Sequence, residues 1–162
     1  MDSEISPKTV SSGKAKSRLI SKMRGWLPYV VIIAVFYFGN IEVQSYLGRK
    51  AMAETGLTML SLDEALTKAR AENKLVLADL SAVWCSSCRK LDKSVLSNQQ
   101  VKAAIEKKYI FSRIEYESPE GKAFMAQYQV RGFPTLVVID AEGSKVSVLP
   151  LTFDPGQFMT FL

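Results

Sequence analysis

At 162 residues the chain has room for one domain and an appendage, and its 48% apolar and 23% charged residues fit a folded globular protein. Its net charge of +5 sits in residues 1–50, where eight Lys/Arg outnumber three acids. Residues 51–162 carry thirteen of each, which argues against a basic nucleic-acid-binding face on the domain. With no histidine and two cysteines, the chain also lacks the parts for a Cys-His protease, a His-containing zinc site or a four-cysteine zinc site. Arg89 follows Cys88, so a Cys-x-x-Cys-His haem attachment is excluded as well. No cofactor or metal is expected.

Residues 1–24 are Ser/Lys-rich and read as a basic, disordered cytoplasmic arm. Gly25–Ile41 is uncharged, and 17 residues of helix reach roughly 26 Å, the short edge of a membrane span. Trp26, Tyr29 and Tyr37 suit the interfacial belts, and Pro28 is expected in the first helical turn. Lys14, Lys16, Arg18, Lys22 and Arg24 precede the run, so the positive-inside rule places the N-terminus in the cytoplasm and residues 42–162 across the inner membrane. One alternative is a signal peptide cleaved at Ala51-Met52-Ala53, although that motif lies well past the apolar run. Another is a buried core helix.

Residues 42–56 read as a linker and 57–162 as the domain. Ser61-x-x-Glu64 is a capping box opening a helix to about Asn73, with Leu62, Ala65, Leu66 and Ala69 on its apolar face. Leu75–Ser81 is a buried strand. A helix begins near Cys85 and runs to about Val95, and Ser97-x-x-Gln100 caps the next. Tyr109–Tyr116 alternates as a strand, and Pro119–Tyr128 is helical. Thr135–Ile139 and Ser144–Leu149 form a hairpin around Asp140–Gly143. Asp154-Pro155 starts a last helix with Phe158, Phe161 and Leu162 facing inward. This order predicts an α/β fold, a mixed central sheet flanked by helices, with an N-terminal transmembrane helix.

Trp84-Cys85-Ser86-Ser87-Cys88 stands between the first strand and the following helix. A Cys-x-x-Cys pair there reads as a dithiol that cycles between thiol and disulfide. The partial positive charge of the helix N-terminus favours a thiolate on Cys85, the expected nucleophile, whose sulfur is expected to be exposed. Cys88, one turn in and more buried, is the expected resolving thiol. A structural disulfide is the alternative, but so short a loop removes little unfolded-state entropy.

Three separated segments carry a resemblance. Asp79 stands six residues before Cys85, the Trp84–Cys88 segment follows, and Val130-Arg131-Gly132-Phe133-Pro134-Thr135 comes later. Together they resemble the thioredoxin-fold proteins over about residues 57–162. The segment from Cys88 to Val101 is similar to that of the C-terminal periplasmic domains of DsbD-type thiol–disulfide interchange proteins. Lys93 stands where ordinary thioredoxins carry a helix-kinking proline, and Ser86-Ser87 replaces their Gly-Pro. The resemblance implies a thioredoxin-like fold and a thiol–disulfide oxidoreductase. It implies a buried Asp79 that exchanges a proton with Cys88, with a solvent-facing strand carboxylate as the alternative, and a cis peptide before Pro134 that brings Phe133 and Pro134 against Cys85 as substrate-binding residues, with an ordinary trans strand-entry proline as the alternative. Trp84 is expected to shield the disulfide and contact partners, with plain packing as the alternative. Arg113 is expected either to pair with Asp79 or to lie exposed on its strand. The implied partners are client proteins with disulfides and a membrane electron donor, for a monomeric protein. Oxidase or isomerase activity, and a slowly turning over client-binding module, remain alternative functions.

Overall fold

The computed structural model describes residues 13–162, with side chains from Trp26 onward. The chain divides into two units at Asn40–Ile41. Helix α1, Gly13–Thr55, supplies the described part of the first unit and the opening turns of the second. Residues 1–12 of the expected basic arm lie outside the described residues, whereas residues 13–24 begin α1. Because the helix starts that early, Pro28 falls inside it and not in its first turn. The stretch Trp26–Thr55 is long and apolar enough to cross a membrane, with a mean hydropathy of 1.6 over its most apolar window, none of it buried. Trp26, Ile33, Phe36 and Phe38 are all more than half exposed.

The second unit, Ile41–Leu162, is the α/β domain. Residues 42–56, expected as a linker, are helical to Thr55, and one face of these turns is buried at Ser45, Gly48, Ala51 and Thr55. Small residues make that face, so no hydrophobic periodicity announces it. Helix α2, Leu62–Glu72, carries the expected capping box: Ser61 Oγ accepts from Glu64 N–H while Glu64 Oε2 accepts from Ser61 N–H. Asn73 ends it in the left-handed conformation, φ 52°.

Strand β1, Leu75–Ser81, is central, lying between β2 (Tyr109–Glu115) and β3 (Thr135–Ile139), with β4 (Lys145–Val148) at the edge. The β1–β2 pair is parallel and β1–β3 and β3–β4 are antiparallel, so the sheet is mixed. Covered on both faces, β1 buries every residue after Leu75, which explains its near-continuous apolar run. Its side chains alternate. Leu77 points into one layer with Phe111, Leu136, Leu91, Leu96, Ile105 and Phe158. Val76, Ala78 and Leu80 point into the other with Ile110, Ile114, Ala65, Phe124 and Tyr128.

After β1 the chain enters α3, Ser86–Leu91, which passes into a π-helical turn, Asp92–Leu96. Helix α4, Gln99–Lys108, is capped by Asn98 and not by Ser97: Asn98 Oδ1 accepts from Gln100 and Val101 N–H. The Ser97 hydroxyl instead donates to Lys93 O, closing the π turn. Helix α5, Pro119–Tyr128, starts at the Ser118 cap, and α6, Pro155–Met159, at the Asp154 cap. Phe158 is fully buried, and Phe161 and Leu162 pack partly against the same cluster.

Candidate active site

Cys85 is the N-cap of α3. Its backbone is extended, φ −74° and ψ 122°, and its Sγ accepts a hydrogen bond from Cys88 N–H at 3.1 Å. The first sulfur therefore occupies the place of an ordinary capping oxygen, where an orphan backbone donor and the helix dipole both favour negative charge. Both cysteines are free thiols. Cys88 is 2% exposed. Burial, followed by the hydrogen bond with Cys85, pushes its thiol up to about 12. Cys88 is the more deeply buried of the two. Cys85 is nonetheless only 8% exposed, so the expectation of an open sulfur is corrected. The cause is an aromatic cluster: Tyr116 and Phe133 pack against the cysteines.

The peptide between Phe133 and Pro134 is cis, and Pro134 is buried. Phe133 meets Trp84 edge-on, ring centroids 5.5 Å apart, and Tyr116 at 4.5 Å. Trp84 keeps 36% of its surface open. The structure thus gathers Trp84, Cys85, Cys88, Phe133 and Pro134 at one end of the sheet and adds Tyr116, which the sequence reading missed. Tyr116 directly follows β2, and its N–H donates to Ser81 O at 2.8 Å, which ties it to the end of β1.

Asp79 is fully buried on the same face of β1 as Leu77 and Ser81. Its register partner on β2 is Arg113. Arg113 Nη1 bonds Asp79 Oδ2 at 2.8 Å and also Asp92 Oδ1 at 2.8 Å, and Nη2 reaches Asp92 Oδ2 at 3.1 Å. The Arg113 side chain is 6% exposed, so its pairing with Asp79 is as expected and the exposed alternative falls away. Asp92 is 1% exposed and was missed. Its signal is position: four residues after Cys88, it shares a helical face with that thiol. Burial is the main cause that raises Asp79 to about 6, with Arg113 opposing and Asp92 and Glu115 adding to the rise. Asp79 bonds Arg113 and neither cysteine. Its Oδ1, the Ser81 hydroxyl and Arg113 Nε have no partner in hydrogen-bond geometry. The Ser81 dipole still favours a Cys88 thiolate.

The sequence and fold resemble those of known proteins. The family model described as thioredoxin-like matches residues 58–141. The chain belongs to the thioredoxin-like family, and its dithiol is that of a thiol–disulfide oxidoreductase. It is 27% identical over 124 residues to the thiol:disulfide interchange protein DsbD of Haemophilus influenzae, covering 74% of this chain and 21% of that one. The oxidised C-terminal domain of Neisseria meningitidis DsbD superposes with a TM-score of 0.53 at 26% identity, covering 64% of this chain and 95% of that domain. A thioredoxin from Thermus thermophilus gives a TM-score of 0.58 at 25% identity, over 64% of this chain and 82% of that one. The chain spans about a fifth of the length of the curated relatives it matches.

Proposed function

We propose that the protein is a membrane-anchored thiol–disulfide oxidoreductase that reduces client disulfides outside the cytoplasm. The observation that carries the chemistry is the inequality of the two thiols: Cys85 at the helix cap, Cys88 buried and pushed up to about 12. The Cys85 thiolate attacks a client disulfide, forming a Cys85–client disulfide and releasing one client thiolate. Cys88 gives up its proton and attacks Cys85 Sγ, closing the Cys85–Cys88 disulfide and releasing the second client thiol. The pair gives two electrons to the client, and the two client thiolates take up the proton given up by Cys88 and one from solvent. Asp79, on the same face of β1 as Ser81, serves as the proton acceptor for Cys88. Trp84 and Phe133 form the client-binding surface, and Pro134, which is buried, backs it. Re-reduction requires a dithiol donor, which for a chain anchored by α1 is a membrane protein. The resemblance to DsbD supports the reducing direction.

The anchor rests on the exposed apolar surface of α1 and on the basic residues before it. In cells with an intact inner membrane, a membrane-impermeant maleimide is expected to label reduced Cys85 on a chain that fractionates with membranes. A soluble mature chain beginning at Glu54, or labelling only after the membrane is broken, would overturn the anchored, outward-facing reading.

A further inference from the structure

The last turns of α1 belong to the redox unit and lie against both ends of the Cys-x-x-Cys segment. Ser45, Gly48, Ala51 and Thr55 are buried at helical spacing, while Val43, Tyr46, Arg49 and Lys50 are exposed. Gly48 meets the active-site loop backbone to backbone. A β-carbon there would lie 1.8 Å from the Val83 carbonyl oxygen and 2.9 Å from its carbonyl carbon, so even alanine would force the two apart. One turn earlier, Gln44 Oε1 accepts from Arg89 Nη1 at 2.7 Å. Val83 stands two residues before Cys85, and Arg89 directly follows Cys88. The Val83 N–H is held separately by Glu115 Oε1 at 3.2 Å, from the end of β2. Val83 is therefore pinned at its N–H by β2 and covered at its carbonyl by α1.

We infer that the Gln44–Gly48 turn of α1 is a fixed wall of the dithiol site, with Gly48 the positioning residue that seats it on Val83. The wall covers the Val83 carbonyl and reaches Arg89, so it closes this flank of the dithiol loop and leaves the side of the half-open Trp84 for approach to Cys85. A wall of this kind works whichever way electrons flow and whether or not α1 crosses a membrane, so it stands apart from the anchored, reducing role proposed above.

The test uses the reduced full chain in detergent micelles and reads iodoacetamide alkylation of Cys85 by peptide mass across pH. The plateau rate above the thiolate titration reports access and not ionisation. In Gly48→Leu the wall cannot seat: trypsin is expected to cut faster at Arg49 and Lys50, and the plateau to rise about threefold or more. Gln44→Ala removes one hydrogen bond without adding bulk, and its plateau is expected to rise about twofold. Tyr46→Ala, on the exposed face, is expected to match the parent. A Gly48→Leu chain that becomes trypsin-sensitive with an unchanged plateau would overturn the wall, and so would one that stays as trypsin-resistant as the parent. If Gly48→Leu does not fold, an unchanged plateau in Gln44→Ala overturns it.

Discussion

Cys88→Ser is expected to accumulate mixed disulfides between Cys85 and clients, and Cys85→Ser to accumulate none. Both lose steady-state turnover by roughly three orders of magnitude, because each removes a sulfur that must form or break a bond. The asymmetry follows from the site. Cys85 caps α3 through its sulfur, whereas Cys88 is 2% exposed and held as a thiol by its burial. Once Cys85 is bonded to a client, only Cys88 is placed to release it. Non-reducing gels followed by mass spectrometry of the adducts check this. Equal trapping by both variants would show that the roles of the two thiols are wrongly assigned.

Arg113→Met is expected to be the most destabilising single change in the domain away from the cysteines. It leaves the Asp79 and Asp92 carboxylates buried with no cation, and breaking such a cluster costs on the order of 3–5 kcal/mol. The loss depends on pH in a definite direction. Asp79 already titrates at about 6 in the folded chain, above its ordinary 3.8, so the folded state holds a proton that the unfolded state has given up. Stability from that proton is fully present below about pH 4 and is lost as pH rises through 6. Without Arg113 the carboxylate rises further, so the variant is expected to regain part of its stability at pH 5 relative to pH 7.5. Asp79→Asn keeps the bidentate Arg113–Asp92 pair and the fold, flattens this pH dependence and slows exchange near neutral pH. Urea midpoints at the two pH values, with exchange rates across pH 6–9, check both substitutions. A loss below about 1 kcal/mol in Arg113→Met at pH 7.5 would contradict the electrostatic account, and unchanged rates in Asp79→Asn would remove that carboxylate from the mechanism.

The parts of this site that sequence reveals are those with local signatures. Leu75–Ser81 is legible because a strand buried on both faces is apolar almost throughout. The Cys-x-x-Cys pair and Phe133-Pro134 are legible as short motifs. What stays hidden depends on partners far along the chain. Asp92 sits between Lys90 and Lys93 and reads as one more solvated helix charge, until the β1–β2 register sets Arg113 beside Asp79 and within reach of Asp92. Ser97-x-x-Gln100 fits the capping pattern, yet Asn98 satisfies two backbone donors at once and takes the cap. The turns after Ile41 read as a linker because their buried face is Ser45, Gly48 and Ala51, and close packing of a glycine against a backbone carbonyl leaves no hydrophobic trace.

In the proposed role this dithiol gives electrons to its clients, and the reduction potential of the Cys85–Cys88 couple decides whether it does. Strong oxidants stabilise the first thiolate heavily and lie near about −120 mV, whereas Ser86-Ser87 offers only hydroxyl dipoles within the motif. A weaker thiolate preference favours the disulfide form and lowers the potential. Equilibration of the full chain with glutathione or dithiothreitol buffers is expected to give a value on the reducing side of about −180 mV, nearer the roughly −270 mV of thioredoxin. A value near about −120 mV would contradict the reducing role and make the protein an oxidant.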